Sequence, residues 1–228
     1  MIFTIAEKIT IRLLEGNQIS NEDFEVIRYG LFSVISKLLY GLISIITGIL
    51  FNCIFESIVF YFSFLYVKKY AGGIHATTEQ RCFIYSTVSI ICSICCIYLS
   101  LSHHIVGALL IVLATTATIF MIMIVPVCSS EIQLSELDRK LFAKKTIIRV
   151  TILICVAIIS FLLNFFTVVY SISIALLLEA ILVILGRHYY AIAWICFNNF
   201  FQFTLICAVM YINLCSFAKS LKLAYTFS

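Results

Sequence analysis

The feature that most constrains this chain is a series of six apolar runs separated by short polar intervals. They read as Leu31–Leu50, Cys53–Val67, Phe83–Leu101, Ile105–Val127, Ile147–Phe165 and Thr167–Leu185. A helix needs about 20 apolar residues to cross the hydrocarbon of a bilayer, and only the second run falls short unless it extends to Tyr70. Inside lipid every backbone polar group must be paired within the protein, which favours helices for runs of this length. Composition agrees, at 63% hydrophobic and 11% charged, against about 45–50% and 25% in soluble domains. The expectation is an all-α integral membrane protein with about six transmembrane helices in residues 30–190.

Both ends differ from that bundle. Residues 1–29 carry Glu7, Lys8, Arg12, Glu15, Glu22, Asp23, Glu25 and Arg28, while Ile2, Ile5, Ala6, Ile9 and Leu13 recur at helical spacing. This pattern predicts an amphipathic interfacial helix ended by Gly16-Asn17, with Ser20 or Asn21 capping the next. It lacks the basic start, apolar core and small-residue cleavage site of a signal peptide. Residues 191–228 are apolar but interrupted by Asn198, Asn199 and Gln202. A seventh span would carry Lys219 and Lys222 to the wrong side, so an interfacial or re-entrant helix is expected there.

Charge sets the expected orientation. Lys8, Arg12, Arg28, Lys68, Lys69, Arg81, Arg139, Lys140, Lys144, Lys145, Arg149 and Arg187 all fall in alternate connections, and the others contain no Lys or Arg. The positive-inside rule places the basic set, and with it the N-terminus, in the cytoplasm. The net charge of +4 reflects that bias and gives no reason to expect nucleic acid.

One basic interval carries the chemistry: Lys68-Lys69-Tyr70-Ala71-Gly72-Gly73-Ile74-His75-Ala76-Thr77-Thr78-Glu79-Gln80-Arg81-Cys82. Cysteine is a nucleophile once deprotonated, and histidine is its usual base. His75 and Cys82 are seven residues apart, about 10 Å of rise on one straight helix and too far for proton transfer. Thr77-Thr78-Glu79-Gln80 has the form of a capping box, which would begin a helix at Thr78 and leave His75 free to fold back over Cys82. The helix N-terminus and Arg81 would both favour a thiolate. Gly72-Gly73 admits backbone conformations closed to other residues. Glu79 and Gln80 are candidates to orient His75, and the backbone N–H groups near Gly72-Gly73 to bind an oxyanion.

Other chemistries suit these residues less well. His75 and Cys82 as metal ligands lack a third partner nearby, since His103 and His104 fall on the opposite side and His188 alone shares theirs. Cys92-x-x-Cys95-Cys96 has a metal-like spacing but no polar partner, so packing is expected there, as for the remaining cysteines outside the motif. No metal or cofactor is expected. Lys37 and Glu179 lie within spans at similar estimated depth, where unpaired charge is costly, and are expected to pair. Such a buried pair also suits a transporter, although nothing suggests inverted repeats. The 129–149 interval predicts a short helix capped by Ser135-x-x-Asp138 and followed by Lys140, Lys144 and Lys145, which suit a membrane surface or an acidic ligand.

Ala71-Gly72-Gly73-x-His75-Ala76 followed by Cys82, with a basic residue upstream and a span on each side, resembles the accessory gene regulator B (AgrB) family. The likeness runs from Tyr29-Gly30 to Gly186. The sequence departs from the family pattern after Pro126, its sole proline, where Ser130-Glu131-Ile132-Gln133-Leu134 lacks the usual second proline and Asn. The resemblance implies a multi-pass bacterial membrane cysteine endopeptidase with Cys82 and His75 as its catalytic pair. It would cleave the acid-rich C-terminal tail from an AgrD-like signalling propeptide through a thioester, and an internal Cys or Ser would close a ring. It further implies a homodimer and a cytoplasmic active site. Lys68, Lys69, Arg81, Lys140, Lys144 and Lys145 become candidates to hold the tail.

Overall fold

The computed structural model describes residues 2–16, 19–20, 22–72, 79–125 and 135–186. Regular structure among them is helical: α1 (Ile2–Glu15), α2 (Phe24–Leu50), α3 (Ile54–Ala71), α4 (Glu79–Ser102), α5 (His104–Ile124), α6 (Glu136–Leu162) and α7 (Phe166–Gly186). The chain divides into two compact units, Met1–Gly186 and Arg187–Ser228. The second lies outside the described residues, and with it the expected C-terminal interfacial helix and His188.

Among the described residues, five helices are long and apolar enough to cross a membrane: α2, α4, α5, α6 and α7. One of the six expected spans is not among them. The second run folds as α3, but its 18 residues include Glu56, Lys68 and Lys69. The five outer faces are what a bilayer solvates, with Leu38 of α2 70%, Ile105 of α5 79% and Leu162 of α6 73% exposed. Large side chains so open to the surroundings are stable only against hydrocarbon.

The core is organised around α3 and α7. Phe60, Tyr61 and Phe64 of α3 pack with Ile90, Ile94 and Ile97 of α4 and with Ile174, Ala175 and Leu178 of α7. One turn further on, Val67 and Ala71 of α3 join Met121 of α5, Val150 and Leu153 of α6, and Ile172, Leu176, Ala180 and Val183 of α7. Small residues set the close approaches. A Cβ on Gly107 of α5 would meet the Tyr170 ring of α7 at 2.4 Å. Hydroxyls inside the spans mostly bond back to their own helix, as Ser93 Oγ does to the Ser89 carbonyl and Thr118 Oγ1 to that of Ala114, which removes the cost of burying them.

The helix ends follow the sequence signals closely. Gly16 N–H closes α1 on the Arg12 carbonyl at 3.0 Å. Ser20 Oγ accepts from Asp23 N–H at 3.2 Å and donates to Asp23 Oδ2 at 2.7 Å, just ahead of α2. Ser135 makes the same pair of bonds with Asp138 at 3.2 and 2.6 Å. The helix that Ser135 caps is not a separate short one, however. It runs unbroken through the basic segment into the fifth apolar run, forming the 27 residues of α6, because no Gly or Pro stands between Ser135 and Asn164 to stop it.

The N-terminal helix buries one narrow face against the protein. Ala6 and Thr10 are fully buried, whereas Ile5 and Ile9 are exposed. Phe3 accounts for the choice of face: its ring meets Phe32 of α2 edge-on at 6.1 Å, and the Arg28 guanidinium lies 4.6 Å from its centroid. An aromatic anchor with a cation over it outweighs the placement of two isoleucines that lipid can solvate.

Candidate active site

The motif joins the end of α3 to the start of α4. Gly72 caps α3 with φ 82° and ψ −145°, a conformation essentially confined to glycine. The expected need for glycine here is therefore real at Gly72. Gly73, His75 and the Thr77 cap lie outside the described residues, as do the side chains of Glu79 and Gln80.

Cys82 sits on the first turn of α4, half-buried and not in a disulfide. That end of a helix presents unpaired N–H groups and the positive end of the dipole. Arg81 beside it is exposed. The Tyr40 ring of α2 stacks on Phe83, with centroids 5.7 Å apart. Tyr40 was not expected beside this turn from the sequence.

This contact also fixes the depth of the site. Tyr40 lies deep in α2, whereas Phe83 lies in the second turn of α4. At the other end Phe51 meets Tyr98 at 5.6 Å, so the two helices run parallel. At 1.5 Å per residue, α2 extends beyond the start of α4 by about 18 Å, with α1 packed along that extension. Tyr70 meets Phe142 near the start of α6, which makes α6 overrun the end of α3 by about 8 Å. The ends of the motif are therefore recessed below the tips of α2 and α6.

The basic residues divide into two sets. Lys68 is drawn inward: its Nζ is 3.9 Å from Oε2 of Glu179, a fully buried α7 side chain, and 5.3 Å from the Phe64 centroid. Lys37, the partner expected for Glu179, is exposed, and its carbonyl accepts from the Tyr61 hydroxyl. The expected Lys37–Glu179 pair is thus replaced by Lys68–Glu179. Depth alone could not reveal this, because Lys37 faces outward on α2 while α3 packs directly on α7.

The second set surrounds Tyr70. Arg149 of α6 lies between the rings of Tyr66 and Tyr70, 4.4 and 4.3 Å from their centroids, and donates to the Tyr66 carbonyl. Lys145 and Lys69 approach the Tyr70 ring at 5.1 and 5.6 Å. Lys140 and Lys144 are exposed on the same helix, and Lys140 lines an open groove with Val125, Glu136, Arg139 and Ala143. The basic stretch of α6 is thus docked onto the last turn of α3, two residues before Gly72. The Tyr66-x-x-x-Tyr70 spacing beside Lys68-Lys69 was the sequence signal for this dock. Among the described residues, no three His, Cys, Asp or Glu side chains gather into a metal-binding group.

Comparison with known proteins adds a family to this geometry. Over 91 residues the chain is 32% identical to AgrB-like protein 2 of Clostridium perfringens (strain 13 / Type A), covering 40% of this chain and 39% of that one. Over 95 residues it is 28% identical to an AgrB-like protein of Clostridium perfringens (strain SM101 / Type A), covering 42% and 43%. The matched stretches span about two fifths of these curated relatives. No solved structure matches. The profile of the family Accessory gene regulator B matches residues 6–184, from α1 to the last turn of α7 and across the whole motif. The chain belongs to the accessory gene regulator B (AgrB) family.

Proposed function

We propose that this chain is a membrane-embedded cysteine endopeptidase that removes the C-terminal tail of a short signalling propeptide and promotes its cyclisation, in a quorum-sensing system. The observation that carries the reading is Cys82, a half-buried free thiol at the start of α4 and inside the family match. His75 takes the thiol proton, and the Cys82 sulfur attacks the carbonyl carbon at the cleavage point. As the C–N bond breaks, His75 returns the proton to the leaving amine. The tail departs and the remaining peptide is held as a thioester. An internal Cys or Ser of that peptide then attacks the thioester carbon, closing a thiolactone or lactone and restoring the Cys82 thiol. Recession of the end of α3 and the start of α4 below the tips of α2 and α6 supports this outcome, because limited access of water favours ring closure over hydrolysis.

The partner is an AgrD-like propeptide with an acidic tail, for which exposed Lys140 and Lys144 are the receptors. The protein spans the bacterial cell membrane, with α3 completing six spans around the motif. Its N-terminus and active site lie on the cytoplasmic side, and it works as a homodimer. No metal, cofactor or nucleic acid takes part.

The test is processing of a co-expressed propeptide. Cys82→Ala and His75→Ala each abolish cleavage while the protein remains in the membrane; full activity in either refutes the assignment. An impermeant thiol reagent applied to intact cells misses Cys82 but labels Ser102→Cys. The reverse pattern places the site outside the cell.

A further inference from the structure

Three cations converge on one aromatic ring at the end of α3. The Arg149 guanidinium carbon and the Lys145 and Lys69 nitrogens lie 4.3, 5.1 and 5.6 Å from the Tyr70 centroid. The face of a ring attracts a cation, but three cations together repel one another and call for an anion. Among the described residues the ion pairs are Arg28–Glu25 and Lys68–Glu179, and neither supplies one. Lys69 and Lys145 are exposed, and Arg149 is half-buried.

What lies below the cluster identifies the anion. Helices α3 and α6 run antiparallel here, since Tyr70 meets Phe142 while Tyr66 meets Arg149. Moving away from the cluster therefore descends α3 and ascends α6. Lys69, Phe62 and Phe55 are spaced seven residues apart, as are Lys145, Ile152 and Ile159, so each series lies on one face of its helix. The four apolar members are all exposed, Phe62 by 67% and Ile152 by 44%. A cationic head thus stands over two apolar stripes that run in the same direction from it. The level fits a headgroup. The 18 residues of α3 rise about 27 Å, close to the ~30 Å of a bilayer's hydrocarbon. The last turn of α3 then reaches the headgroup layer, where tyrosine is favoured. An acidic peptide would match the cations but leave both stripes uncovered.

We propose that the seam between α3 and α6 holds an anionic phospholipid, with its phosphate among Lys69, Lys145 and Arg149 and its acyl chains along the Phe62 and Ile152 stripes. A headgroup bound there ties the last turn of α3, just before Gly72, to α6.

The experiment is native mass spectrometry of the full-length protein in nonionic detergent, titrated with dioleoyl phosphatidylglycerol or dioleoyl phosphatidylcholine. The two lipids share acyl chains and differ in net charge. Phosphatidylglycerol binds more tightly, and its advantage shrinks with added salt. The double variant Lys69→Gln/Lys145→Gln loses about tenfold in phosphatidylglycerol affinity. Lys8→Gln/Arg12→Gln removes the same charge from exposed positions on α1 and leaves that affinity near the parent's. Equal affinity for the two lipids, or an equal loss in the two double variants, overturns the proposal. Hexaglutamate added as a competitor leaves the lipid bound; displacement by it overturns the proposal and gives the cluster to an acidic peptide. Should the seam variant fold poorly, phosphatidylglycerol with a diazirine in its acyl chain is applied to the unaltered protein. Crosslinks to the peptides containing Phe62 and Ile152 uphold the site, and crosslinks confined to other helices overturn it.

Discussion

Glu179 of α7, fully buried, lies 3.9 Å from the ammonium of Lys68 on the last turns of α3. Neither of its carboxylate oxygens has a hydrogen bond among the described residues. Lys68 is four residues before Gly72, so this contact ties the central helix of the bundle to the entrance of the motif. Burial penalises a carboxylate in that position, and the cation beside it offsets part of the penalty.

The first prediction follows from that dependence. Glu179→Gln or Lys68→Met alone should lower thermal stability in detergent by about 2 kcal/mol, below the usual range for a buried pair because Lys68 is partly solvated. The double variant should recover part of the loss, and Lys37→Met should have little effect. A double-mutant cycle measures the coupling. Strictly additive single effects would show that the pair contributes nothing, and a large effect of Lys37→Met would restore the partner first expected.

Gly72 supplies the second. Any side chain at φ 82° is strained, so Gly72→Ala should cost about 1–3 kcal/mol and impair processing. Gly30→Ala is the control: its Cβ meets nothing within 4 Å, and in a helix the change is neutral or favourable by up to about 1 kcal/mol. Melting temperatures of the two variants, measured side by side, decide the matter. Equal behaviour would mean that the Gly72 conformation does not matter.

Arg149 supplies the third. Its planar guanidinium fits between Tyr66 and Tyr70 and reaches the Tyr66 carbonyl. Lysine keeps the charge but neither stacks nor forks in the same way. Arg149→Lys should therefore cost about 1 kcal/mol and increase hydrogen exchange in the last turn of α3. Exchange in that turn indistinguishable from the parent would show that the dock does not hold it.

The basic face of α6 gives the fourth. Both lysines are exposed, but Lys145 also lies over the Tyr70 ring at 5.1 Å, so the two should behave differently. Lys144→Gln should weaken processing only of a propeptide with an acidic tail, with a loss that depends on ionic strength. Lys145→Gln should also affect a neutral-tail substrate, because it loosens the dock. If Lys144→Gln affects both substrates equally, the face does not read tail charge.

The sequence by itself determined the class and the helices. Runs such as Ile105–Val127 fix helix and bilayer together, because lipid leaves the backbone no other way to pair. Ser20 and Ser135 announced their turns, since a cap is a contact between residues three apart and is written in the chain. The need for glycine at Gly72 and the place of Cys82 on a new helix were legible for the same local reason. Tertiary structure decided what depends on which helices touch. Lys37 and Lys68 were both basic, both near one face of the membrane, and only the packing of α3 against α7 gave Glu179 to Lys68. Tyr40 and Phe83 are far apart in the chain, and nothing local links them; α2 and α4 had to lie parallel before their rings could stack 5.7 Å apart. The face of α1 that is buried was likewise settled by Phe3 meeting Phe32, a contact between helices that the spacing of isoleucines within one helix does not encode.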